Sequence, residues 1–158
     1  MLTSIRLTEI MASCVFFVNI IWTPFIFLQE SRGNLKFVAI TNNVAFKEKY
    51  ENQFEVSYHD VTLRELFVIV RDKVHLGYGL LTHPMSGSVK PNETPFKTVF
   101  ISNDNNKIST NSLALIEGAI MTCDKFAGRN IDYSDKIEDF QLVDMSLAES
   151  ALPGLLSF

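Results

Sequence analysis

The sequence predicts a single small α/β domain, layered, with a mainly parallel sheet flanked by helices. Three observations carry that expectation. The chain has 158 residues, of which 47% are hydrophobic and 20% charged, enough to bury one ordinary core. Lys36 to Thr41 is a continuous apolar run rich in β-formers, as suits a strand covered on both faces. Downstream, strand-like runs alternate with helical periodicity, the pattern of layered α/β folds.

Taken in order, the first strand over 36–41 is ended by Asn42-Asn43, and Val44 to Tyr50 reads as a short helix or turn. Phe54 to Tyr58 alternates with period two and predicts a second strand. Asp60 is a candidate helix cap, because a carboxylate can accept the free N–H groups of a first turn. Leu63, Leu66, Phe67, Val70 and Val74 then recur at helical spacing until Gly77 closes the run. Tyr78 to Thr82 predicts a third strand and Phe96 to Ser102 a fourth. A second long helix is expected over 110–126, capped by Thr110 or Asn111 and burying Leu113, Ile116, Ile120 and Cys123. A short polar helix over 134–139 and a last strand over 140–145 complete the reading.

The domain is expected to occupy residues 35–147, followed by a tail over 148–158 and preceded by a hydrophobic extension over 1–34. Ile10 to Gln29 carries no charge and is long enough to span a bilayer as a helix. Asn19 and Pro24 weaken such a helix, and Arg6, Glu9, Glu30 and Arg32 give no positive-inside bias. No small-x-small cleavage pattern marks a signal peptide. Leu35 can be encoded by TTG, an alternative bacterial start codon, and Arg32-Gly33 by a ribosome-binding-site-like AGG-GGN. The expectation is therefore a native start near Leu35 and a cytoplasmic protein, with a membrane anchor as the alternative.

The net charge of -4 and a pI near 5.3 give no general reason to bind nucleic acid. The two cysteines, Cys14 and Cys123, build neither a disulfide framework nor a thiolate metal site. His59, His75 and His83 form no metal-ligating pair, so no metal and no cofactor is expected.

Chemistry concentrates in the loop from His83 to Pro95. It is longer than ordinary connections, and its three prolines stiffen it. Gly87 between Ser86 and Ser88 permits a turn with positive φ whose N–H groups converge, with Asn92 and Thr94 adding donors and Lys90 a positive charge. Such a nest suits phosphate or carboxylate. It is not a Walker A loop, and a rigid surface loop whose serines satisfy their own backbone is the plainer alternative. Thr41-Asn42-Asn43, at the carboxyl end of the first strand, lies where open parallel sheets bind ligands, although an Asn pair also forms simple Asx turns. His83 is the candidate catalytic residue, able to act as acid or base near neutral pH. A nucleophile pairing of His83 with Ser86 or Ser88 lacks both the Gly-x-Ser-x-Gly elbow and an orienting acid.

Three stretches, FVAITNN over 37–43, LLTHPMSGSVKPNETP over 80–95 and EDFQLVDMSL over 138–147, resemble the GrdX family. These small proteins are encoded with the glycine, sarcosine and betaine reductase systems of amino-acid-fermenting anaerobes. Two departures stand out: family members tend to begin at the strand near Leu35, and a proline often follows the Asn pair where this chain has Val44. The resemblance implies a role in selenoprotein-dependent reductive amino-acid metabolism and supplies no catalytic residues. Three functions are therefore carried forward. The first is an accessory or regulatory protein holding a small anion between Thr41-Asn42-Asn43 and the loop. The second is an enzyme acting on a phosphorylated or acyl-phosphate metabolite, and the third is a module docking on a reductase subunit.

Overall fold

The computed structural model describes residues 36–87, 94–105, 107–127 and 134–157. The expectations for residues 1–34, and for Ser88, Lys90 and Asn92, lie outside them. The described chain is a small α/β fold of three layers. Strand β1 (Phe37–Thr41) is central, between β2 (Val56–Tyr58) and β3 (Thr98–Ser102). Helix α1 (Val44–Tyr50) and helix α4 (Ile137–Leu156) belong to one face, α2 (Leu63–His75) and α3 (Thr110–Phe126) to the other.

Period-two alternation explains this sandwich. Val38, Ile40, Val99 and Ile101 point toward α2 and α3, where they meet Leu66, Phe67, Val70, Ile116 and Cys123. Phe37, Ala39 and Phe100 point the other way, into an aromatic cluster with Phe46, Tyr50 and Phe54. Phe37 meets Phe54 and Phe100 edge-on, at centroid separations of 5.2 and 5.6 Å. Every residue of β1 is buried, as its unbroken apolar run requires.

The sheet is mixed, which corrects the expectation of a mainly parallel one. β1 and β2 are parallel, joined through α1, but β1 and β3 are antiparallel. The cause lies in the connection before β3. Tyr78 to Thr82 runs beside β3, with one antiparallel bridge between Leu80 and Ile101. The chain then returns through the 83–97 segment without a crossover helix, so its direction reverses. The third strand expected over 78–82 is thus reduced to a bridge, because side chains replace part of its ladder: Phe100 N–H donates to Thr82 Oγ1, and Leu80 N–H to Ser112 Oγ.

The last strand expected over 140–145 is helical and belongs to α4. Its inward positions are Asp144, Ala148 and Leu152, one turn apart, so the buried stripe contains an acid and an alanine and lacks an apolar signature. The tail expected over 148–158 continues the same helix to Leu156, with Ala148 and Leu152 in the core.

Two caps also differ. Thr62, not Asp60, caps α2 in a reciprocal box with Glu65. Ser109, not Thr110 or Asn111, caps α3 through its hydroxyl to Ser112 N–H. Leu113 is only partly buried, whereas Ile116, Ile120 and Cys123 are buried as expected. Gly77 closes α2 at φ +101°.

Candidate functional site

The carboxyl end of β1 meets the start of β3 and the middle of α4, and polar side chains converge there inside the fold. Asp144 is 3% exposed. Its Oδ1 accepts from Thr98 N–H at 2.8 Å, and its Oδ2 from Thr98 Oγ1 at 2.8 Å and Asn43 Nδ2 at 3.0 Å. Because the Thr98 hydroxyl donates to the carboxylate, Thr41 Oγ1 must donate to Thr98 Oγ1, 2.8 Å away, while accepting from Asn43 N–H. The result is a directed chain of hydrogen bonds that ends on the acid.

Both asparagines are committed to the fold. Asn43 Oδ1 caps α1 by accepting from Ala45 and Phe46 N–H, and its Nδ2 donates to Gln141 carbonyl and Asp144. Asn42 Nδ2 donates to the Val61 and Pro95 carbonyls, and its Oδ1 accepts from Lys97 N–H. A carboxamide has two N–H donors, so neither side chain has one left for a ligand.

The two predicted site segments nevertheless meet, since the Asn42–Pro95 bond pins the end of the loop to β1. Lys97 pins its beginning: its Nζ donates to the Ser86 carbonyl at 2.6 Å. Gly87 has φ +71°, the positive value expected of it, and packs so closely on α4 that a Cβ would lie 2.5 Å from Leu147 Cδ1. Thr94 is half-buried and lines a small pocket with Gly87, Phe96, Lys97, Val143, Asp144 and Leu147. Ser86 and His83 are exposed.

His83 Nδ1 accepts from Met85 N–H at 3.1 Å, which shapes the first turn of the loop. Its ring borders a separate groove of about 380 Å³ with Met85, Ala114, Leu115, Gly118, Ala119 and Thr122. Among the described residues no group of three or more His, Cys, Asp or Glu side chains could hold a metal ion. No helix among them is long and apolar enough to cross a membrane.

Lys97 and Asp144 were not found by sequence reasoning. Both stood inside expected strands, where a single charge reads as a solvent-facing position. Lys97 is 4% exposed. Its burial holds the ammonium below the ordinary lysine range, and the Asp144 charge opposes that shift. The available signal was Asp144 at helical spacing from Ala148 and Leu152, since an acid on a buried stripe requires donors.

This architecture defines a small three-layer α/β protein whose mixed sheet ends in a buried polar corner under a tethered loop. The family described as GrdX-like protein matches residues 38–153, most of the chain and every residue of that corner, and the chain belongs to this family. No curated protein and no solved structure matches it.

Proposed function

We propose that this protein is a cytoplasmic accessory or regulatory protein of the glycine reductase system, holding a small anion beside the loop from His83 to Pro95. Family membership supports the association. One observation carries the anion reading: the Lys97 ammonium is buried against the neutral Ser86 carbonyl and, among the described residues, forms no ion pair. A buried charge is costly unless an opposite charge compensates it. The ligand position accordingly moves from the asparagine side chains to Lys97, Thr94 and the turn at Gly87. Thermal-shift screening with phosphate, acetyl phosphate, glycine and nucleotides tests it: a ligand that binds the fold raises the melting temperature with its concentration. No shift at millimolar ligand overturns the reading.

Docking on a reductase subunit is the second reading, favoured by the tethering of the loop through Asn42, Lys97 and the Gly87–Leu147 contact. Co-purification with a reductase subunit that survives Lys90→Ala and His83→Ala but fails on loop deletion supports it. The enzyme reading has less support, because His83 is exposed and its Nδ1 is engaged by its own loop.

A further inference from the structure

The geometry points to a short-chain monocarboxylate as the ligand, with one carboxylate oxygen seated on Lys97 and the apolar body lying against Phe96, Val143 and Leu147. The inference rests on the anion reading above and narrows it to one chemical class. An ammonium has three N–H donors, and Ser86 accepts from Lys97 Nζ at 2.6 Å. The pocket that Lys97 lines measures about 10 Å³, room for one water-sized group such as a single carboxylate oxygen. Phe96, Val143 and Leu147 add apolar surface, and Thr94 adds a hydroxyl.

Asp144 lines the same pocket and decides the charge of the guest. Its oxygens accept from Thr98 and Asn43, which moderates but does not remove its negative charge. A dianion such as phosphate meets that charge twice over, and its tetrahedral bulk exceeds the space. A monoanion with a flat, narrow head meets the least repulsion. The apolar residues favour a hydrocarbon substituent over a polar one.

NMR titration of the protein with acetate, propionate, phosphate and neutral propionamide, at constant ionic strength, tests this assignment. Saturable shifts of the Gly87, Lys97, Val143 and Leu147 amides are expected with acetate and propionate. Propionate should bind about fourfold more tightly, the effect of one buried methylene. Thermal melts should rise by about 5–10 °C at a hundredfold excess over Kd. Lys97→Met should abolish binding. Val143→Ser, at a half-exposed position, should keep the fold and lose the preference for propionate.

Shifts with phosphate alone would overturn the carboxylate assignment and leave the anion reading standing. Equal binding by folded Lys97→Met, or by propionamide, would overturn the role of Lys97. If Lys97→Met does not fold, the location of the wild-type shifts decides: perturbation confined elsewhere on the surface overturns the inference. Silence with every anion overturns both.

Discussion

Asn43 and Asp144 are 101 residues apart in sequence and joined by a hydrogen bond of 3.0 Å, Nδ2 to Oδ2. The bond fastens the cap of α1 to the middle of α4. Because the same carboxylate also accepts from Thr98, one acid holds the helix pair against the sheet.

Asp144→Ala leaves the Thr98 amide, the Thr98 hydroxyl and one Asn43 N–H without their acceptor in a buried corner. Each orphaned donor costs about 1–3 kcal/mol, so the variant should be destabilised by about 3–5 kcal/mol. Urea denaturation of wild type and variant measures it; a loss below 1 kcal/mol would show that the corner is hydrated or slack.

Asn43→Ala removes a helix cap and two long-range bonds, and should cost about 2–4 kcal/mol. Asn43→Asp separates these contributions. It keeps the acceptor that caps α1 but sets a second carboxylate against Asp144, so one of the two should titrate above the usual range. The sign follows: a raised folded pKa lowers stability above it and restores stability as pH falls through it. The deficit of Asn43→Asp relative to wild type should therefore be larger at pH 7 than at pH 5.

Gly87→Ala combines two penalties, a positive φ and a Cβ within 2.5 Å of Leu147. A loss of about 1–3 kcal/mol is expected. Leu147→Ala in the same chain relieves the collision but not the backbone strain. A double-mutant cycle should thus give a coupling of about 1 kcal/mol, whereas strict additivity would mean that the loop does not rest on α4.

Lys97 predicts a pH dependence. Its pKa is lowered in the fold, chiefly by burial, so between that value and the unfolded value the unfolded chain binds more protons. Stability contributed by this group should rise with pH across the window leading up to about 10.4, the unfolded lysine value. Against Lys97→Met as reference, denaturation midpoints measured from pH 7.5 to 10 should show wild type gaining on the variant. A parallel pair of curves would contradict the burial of the charge.

The elements legible in the sequence were those whose burial is written in apolar spacing. β1 was readable because both of its faces are apolar, and α2 because Leu63, Leu66, Phe67, Val70 and Val74 recur on one side. α4 was not, because Asp144 and Ala148 occupy inward positions while Leu142 and Val143 point to solvent. The direction of β3 depends on how a proline-rich loop turns the chain, and periodicity carries no such information. At the candidate site the loop and the asparagine pair were correctly recognised as neighbours of the strand end. Their structural commitments were hidden, since Asn42 finds its partners 19, 53 and 55 residues away.

Those three separations have a kinetic consequence. One carboxamide joins the segment before α2, the end of the loop and the start of β3, so the corner at Asn42 cannot close until all three have arrived. Closing long stretches of chain carries an entropy cost before any contact repays it, and topologies rich in such contacts fold slowly. Docking of β3 against β1 should then belong to the last step of folding, after α2 and α3 have formed from local contacts. Substitutions at Asn42 should chiefly accelerate unfolding, and those in the α2 core chiefly slow refolding.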